Sequence, residues 1–475
     1  MKKSLCLFLS VLFLFALLSG CKSDKNSTTT NKTDGTTVST SGTSEVTKKQ
    51  LVAEDFSLNG TARDFNIMVR TGRYAYIYSK TDSSDRVESA VYKRNTQIEQ
   101  MFGIKFRITE KGAATEFVTA LEASTGEYDL SCPDYWWLVE QKGYFTNLTG
   151  RDEIDINDSY WYNGWNRNIK INNKLYTIAG DATLEVLENI GIVFFNKQIA
   201  ANNGLDMYGL VDNNEWTLEK MTEINRSVSQ NLEDDDATNN IYGVMLDNHS
   251  VQSMHFSAGL VLSKISDNGA IEIAGIADSD RNISVSEAIT KLSHSLEADW
   301  ENATARARSI NNFINQKSFM FASALYIGRT IKAKNVTFDC GVIVMPKFDS
   351  EQEKYISTTY GASLFGIPKT AKDIHCSAVI LNAMNYLSYD SIVYSFFDIV
   401  MKGQIAHQPQ DAKMMDLARD TLYVDFAFVL DGGDFRLIRD YMQAAKNKTS
   451  VKTLLDSSIP AGEIALQNII NFYNK

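Results

Sequence analysis

Between Phe65 and Leu130 the apolar side chains change period repeatedly, and that alternation constrains the fold more than any other feature of the chain. Phe65, Ile67 and Val69 recur every second residue, as the inward side chains of a strand do. From about Arg86 to Phe102 the period changes, because Val87, Ala90, Val91, Ile98, Met101 and Phe102 fall on one helical face. Gly103 ends that helix. Ile104, Phe106 and Ile108 alternate again, Phe117, Val118 and Leu121 mark a second helix, and Tyr128-Asp129-Leu130 reads as a third, short strand. This β-α-β-α-β order predicts a parallel sheet with right-handed crossovers. Ligands in such open sheets sit beyond the carboxyl ends of the strands, so the loop after Asp129 is the first place to look for a site.

The chain begins quite differently. Lys2 and Lys3 precede an apolar run from Leu5 to Leu18, interrupted only by Ser10, and Leu18-Ser19-Gly20-Cys21 follows. Small Ser19 and Gly20 present a backbone a peptidase can cleave, and the Cys21 thiol supplies the nucleophile for attaching a lipid. The segment resembles the lipobox of bacterial lipoproteins. Residues 1–20 are read as a signal peptide and Cys21 as the lipidation site, with an ordinary signal peptide or a short anchor as the alternatives. Residues 22–50 hold fourteen Ser or Thr in twenty-nine positions. So polar a stretch cannot bury enough surface to offset its ordering entropy. As a flexible coil it reaches about 30 Å root-mean-square, which suits residues 21–50 to a tether.

Composition narrows what the remaining body does. Apolar residues make up 44% of the chain and aromatic ones 11%, enough for large cores, and the length suggests two domains. Without Lys2 and Lys3 the mature chain has 45 basic against 58 acidic residues, a formal charge of −13, which argues against nucleic acid or an anionic membrane surface as main partner. Beyond Cys21 only Cys132, Cys340 and Cys376 remain, an odd set without CxxC, so a disulfide scaffold is excluded. The five histidines show no metal-ligand spacing, the acidic runs Asp152 to Asp158 and Glu233 to Asp236 lack the EF-hand pattern, and no metal or cofactor is expected.

Further along, Lys174 to Ile178 reads as a strand and Gly191 to Lys197 as a buried one. Thr217 suits a helix N-cap, with Trp216 before it placed to pack on Met221. His255, in the apolar run Met254 to Gly259, reads as a satisfied core histidine.

Taken in order, five segments resemble the extracellular solute-binding proteins of ABC importers, of the carbohydrate-binding class that includes the maltose-binding protein. They are Tyr128-Asp129-Leu130 with Gly143 to Leu148; Asn173 to Tyr176 running on through Phe195-Asn196-Lys197, Gly204-Leu205-Asp206 and Trp216 to Glu219; Phe313 to Tyr326; Gly341 to Pro346; and Gly361 to Pro368. Leu417 to Asp420 is similar to a branch of lipoproteins common in Firmicutes. Ala179 stands where the family often has proline, and Tyr326 where it often has tryptophan. The resemblance implies an α/β, two-lobed periplasmic-binding-protein-like fold of type II, each lobe a mainly parallel sheet flanked by helices, the lobes joined by crossing hinge segments. It maps residues 51–175 with 328–367 to the first lobe and 176–327 with 368–475 to the second. It also implies a monomer on the outer face of the plasma membrane, held there by lipid only, that delivers a small-molecule solute, a carbohydrate, to ABC permease subunits.

A carbohydrate cleft needs flat aromatic faces for the C–H patches of a pyranose and polar groups for its hydroxyls. Asp134, Tyr135, Trp136 and Trp137 lie directly beyond the third strand and meet both needs, with at most one of the two tryptophans facing ligand. Trp161 and Trp165 form a second aromatic group, the alternative for both groups being core packing. The family resemblance points to Tyr326 as a stacking residue, and Asp181, Glu188, Tyr360 and Ser363 border the expected crossings. An enzyme is the lesser alternative: there is no G-x-S-x-G, H-E-x-x-H or P-loop, although a carboxylate pair for glycoside hydrolysis can come from distant strands. A surface glycan-binding or sensor lipoprotein of the same fold is the other.

Overall fold

The parallel β-α-β-α-β unit is present. In the computed structural model, strands β1 (Arg63–Arg70), β2 (Ile104–Lys111) and β3 (Leu130–Cys132) form one sheet in the order β2-β1-β3, with both pairings parallel. The structure describes residues 51–73, 75–137, 143–232, 239–266, 268–273, 279–301, 307–334, 336–401, 408–429 and 437–473. Phe65 lies opposite Phe106 in register, and their rings meet edge to face at 5.7 Å, an arrangement worth about 1 kcal/mol beyond the area it buries. The helix Arg86–Phe102 starts where the Asp85 carboxylate accepts from the Val87 and Glu88 amides, and it ends at left-handed Gly103 (φ 62°). Its buried face includes Arg94 and Asn95, while Ala90 and Met101 are only half-buried. Arg94 is tolerated there because it donates to the carbonyls of Tyr76 and Ile77, to Ser388 and to Asn95.

Two strand expectations shift. The third strand begins at Leu130, because Asp129 is held just before it: its carboxylate accepts from the Asn66 amide at 2.8 Å and from Arg63. Lys174 to Ile178 is not a strand but a crossing segment, whose strand-like pairing is confined to the single bridges Ile171–Lys174 and Ile178–Phe365.

A second sheet combines β4 (Gly191–Asn196), β5 (Tyr242–Asp247), β8 (Ala298–Glu301), β9 (Ser318–Ala324) and β10 (Cys340–Val344) in the order β10-β4-β9-β5-β8. The strands β6 (Lys264–Ile265) and β7 (Ile271–Glu272) make a separate hairpin. Only β4 runs against the others of the five, so its first residue lies at the edge where β9 and β5 end. Trp216 is buried in the core, and its indole donates to the Val344 carbonyl at 2.9 Å while Thr217 caps the next helix. The acidic run Glu233 to Asp236 lies outside the described residues, as do residues 1–50 with Cys21.

The placement of two C-terminal stretches differs from the sequence mapping. Cys340–Val344, expected in the first lobe, hydrogen-bonds antiparallel to β4 in the second sheet. The helices Ile374–Ser388 and Tyr394–Met401, expected in the second lobe, pack on Arg86–Phe102 of the first. The helix Pro409–Asp420 then returns to β10. An amphipathic helix reads alike whichever sheet it covers, which is why its pattern could not assign it.

Cys132, Cys340 and Cys376 are buried free thiols. Among the described residues no helix is long and apolar enough to cross a membrane.

The segment ahead of β1 is docked through an imidazole. His375 donates from Nδ1 to Glu153 at 2.7 Å and from Nε2 to Glu54 at 3.1 Å, and Phe56 packs against its ring and that of Phe102. Arg151 also donates to Glu153, and Asp373 caps the same helix. The hydrogen bonds to Glu153 and Glu54 raise the His375 pKa above its ordinary value. A raised pKa stabilises below the unfolded value near 6.5 and loses that contribution as pH climbs through the folded one. Amide exchange in residues 51–57 is therefore expected to speed up between about pH 6 and pH 8 beyond its intrinsic rise, and His375→Gln should abolish that excess.

Candidate functional site

The carboxyl ends of β1, β3, β5 and β9, with the start of reversed β4, all face one seam between the sheets. The turn after β1 carries Arg70, Arg73 and Tyr76 there. Beyond β3 come Asp134 and the short turn Tyr135–Trp137. The opposite wall holds Glu185 and Glu188 on the four-residue helix before β4, His249 after β5, and Tyr326 and Arg329 after β9. The Tyr326 amide donates to the Glu188 carbonyl at 2.8 Å, locking these two turns together. Residues 357–368 cross along the seam, bridging Thr359 to Ile190 on one side and Ser363 to Asp134 on the other.

Charges of both signs meet here. Asp134 accepts from Arg70 and from the Trp136 amide; Glu185 accepts from Arg73 at 2.9 Å and from the Ser363 amide at 2.9 Å. Glu188 accepts from the Tyr76 hydroxyl at 2.7 Å and pairs with Arg329 at 3.3 Å. Burial raises the pKa of Asp134 and of Glu188, with the neighbouring Glu185 charge adding to both and the arginines opposing it. Burial next to Glu188 likewise pushes the Tyr76 phenol up.

The structure sorts the aromatic candidates. Tyr135 is wholly buried, donating to the Tyr360 carbonyl at 2.6 Å. Trp136 and Trp137 diverge as adjacent residues must. Trp136 is half-buried between Tyr135 (4.7 Å) and Phe428 (5.7 Å), whereas Trp137 packs on Phe117 (5.6 Å) with Arg70 over its ring (5.2 Å). Tyr326 is half-buried on the seam. Tyr360 stands edge-on to His249 with ring centres 3.9 Å apart.

Other candidates are placed elsewhere. Trp161 lies in the core against Gly180, where an added Cβ would come within 2.6 Å of the indole, and Trp165 is completely buried against Tyr135. Neither ring reaches the seam in this conformation, because the residue 160–180 segment turns them inward. Asp181 is fully buried and takes Arg419 at 2.9 Å, which occupies the carboxylate expected to meet hydroxyls. Ser363 is buried, its hydroxyl without a hydrogen-bond partner. His255 is a core histidine: Nδ1 lies 2.8 Å from the Val251 carbonyl and burial lowers its pKa to about 4. Arg70, Arg73, Tyr76, Glu185 and Arg329 were missed by the sequence reading. Arg70 carries the one usable signal, being the last residue of a strand with a clear apolar alternation.

No family model and no curated protein sequence matches the chain. Solved structures do. The GacH receptor of Streptomyces glaucescens, solved unliganded and with acarbose, matches with a TM-score of 0.53 at 14% identity over 86% of this chain and 99% of its own. UgpB from Mycobacterium tuberculosis with glycerophosphocholine gives 0.57 at 15% over 86% and 99%, and a cyclo/maltodextrin-binding protein with maltotetraose 0.56 at 13% over 85% and 97%. This is the type II solute-binding-protein fold.

Proposed function

We propose that the chain is the lipid-anchored, extracellular solute-binding component of an ABC importer, holding a sugar or oligosaccharide between its lobes and passing it unchanged to a permease. The observation that carries the reading is the convergence, at the strand ends of both lobes, of half-buried aromatic faces (Trp136, Tyr326, Tyr360) with charged hydrogen-bonding groups. A pyranose offers apolar C–H faces and a ring of hydroxyls, and those two surfaces are what such a cleft complements. GacH, crystallised with acarbose, and the maltodextrin-binding protein, crystallised with maltotetraose, have the same fold and support a glycan as the first class to test. The acidic surface is consistent with a small solute rather than a polyanion.

The test is a melting-temperature screen of the chain against mono- and oligosaccharides, with amino acids, peptides and divalent cations as controls. A bound glycan should raise the melting temperature as the logarithm of its concentration, with stabilisation of about 2.7 kcal/mol at a hundred times the dissociation constant. Stabilisation by amino acids or peptides and by no glycan would sink the assignment. Recovery of the glycan unmodified after incubation separates binding from hydrolysis.

A further inference from the structure

Which side of each cleft ion pair meets the solute is legible from exposure. The arginines are open and the carboxylates shut: the side chains of Arg70, Arg73 and Arg329 are 33%, 45% and 31% exposed, against 8%, 6% and 8% for Asp134, Glu185 and Glu188. Each carboxylate is already engaged by two protein groups, Asp134 by Arg70 and the Trp136 amide, Glu185 by Arg73 and the Ser363 amide, Glu188 by Tyr76 and Arg329. A neutral sugar hydroxyl gains most by donating to a carboxylate, and here all three carboxylates are shut from solvent, with about half of their acceptor sites already taken by protein groups. Guanidinium groups have five N–H donors apiece, and each of these three contacts its carboxylate through a single nitrogen. Arg329 Nε is moreover a buried donor with no hydrogen-bond partner among the protein atoms. A buried N–H left unmet is costly, and it marks a place where an acceptor belongs.

We propose that the solute is an acidic saccharide, whose anionic group is received by Arg329 together with Arg70 and Arg73 while its ring lies against the aromatic faces. The inference rests on the carbohydrate reading above and narrows it. Asp134, Glu185 and Glu188 then act from behind, fixing the guanidinium forks and keeping three like charges from repelling one another before the solute arrives. A carboxylate on the sugar and a phosphate or sulfate ester share this chemistry, since both accept paired N–H donors.

Isothermal titration of the full chain decides it, using galacturonate and digalacturonate, their neutral counterparts galactose and galactobiose, galactose 6-phosphate, and inorganic phosphate alone. The acidic form should bind at least about tenfold more tightly than its neutral counterpart, and the preference should shrink as salt rises from about 20 to 300 mM. Arg329→Gln in combination with Glu188→Gln removes the guanidinium without stranding a buried carboxylate, and should sharply reduce the preference at an unchanged melting temperature. Arg73→Gln, at the most exposed of the three, should reduce it with less risk to folding. Preference for the phosphate ester over the uronate would identify the anionic group as a phosphoester. Tight binding of a neutral glycan with no gain from its acidic form overturns the inference and leaves the carbohydrate reading intact. A preference undiminished in the double variant also overturns it. Binding of inorganic phosphate with no saccharide of any kind would do the reverse, keeping the anion site and removing the sugar.

Discussion

Arg419→Ala is expected to cost about 3–5 kcal/mol of stability. Arg419 sits in the last turn of Pro409–Asp420, the helix that packs on β10, and reaches across to Asp181 on a crossing segment. It also donates to the Ser159 carbonyl at 3.0 Å and lies over the Tyr389 ring at 4.8 Å. Asp181 is wholly buried, so truncating its partner leaves an ionised carboxylate in a medium that solvates it poorly. Asp181→Ala should cost a similar amount for the mirror reason. The pair replaced together by Met and Leu should recover most of the loss, because desolvation of two charges is then no longer required. As a control, Lys220→Ala breaks an exposed pair with Glu223 at 2.5 Å and should change stability by less than about 0.5 kcal/mol. Urea unfolding of the four variants measures all of this. Equal, small effects at Arg419 and Lys220 would mean that the crossing segments are not held by this ion pair.

The same residues show how far the sequence could be read. Period carried β1, β2 and the helices between them, since an alternating Phe65, Ile67, Val69 has one way to bury its apolar face. It misplaced β3 by two residues because Asp129 is fixed by Arg63 and the Asn66 amide, partners sixty-odd positions away. Long range is also why the cleft charges were invisible. Arg73 meets Glu185 and Tyr76 meets Glu188 only after the chain has crossed between sheets, and no local spacing records that meeting. Aromatics beside carboxylates, such as Asp134 and Trp136, are a local pattern, whereas the arginines that face the seam more openly have no such signature. Glu188, Tyr326 and Tyr360 did reach it, each within two residues of a strand end or a crossing.

Trp165→Ala should destabilise by about 4 kcal/mol, whereas Trp136→Ala, the same substitution chemically, should cost about half that or less. Trp165 is completely enclosed, edge-on to Tyr135 at 6.2 Å, so its removal leaves an indole-sized cavity that the surrounding core can only partly collapse into. Trp136 is half-exposed, and Tyr135 and Phe428 can close over part of the space it leaves. Binding should divide them the other way. Below its own melting point the Trp165 variant should titrate a cleft ligand with unchanged affinity, while the Trp136 variant loses about tenfold, the value of one aromatic face against a sugar ring. Melting curves followed by titration at about 15 °C separate the two effects, because the colder measurement keeps the weakened variant folded. If Trp165→Ala weakened binding while leaving the melting temperature in place, the ring would belong to the cleft, and the inward turn of residues 160–180 would describe only one of the conformations the lobes adopt.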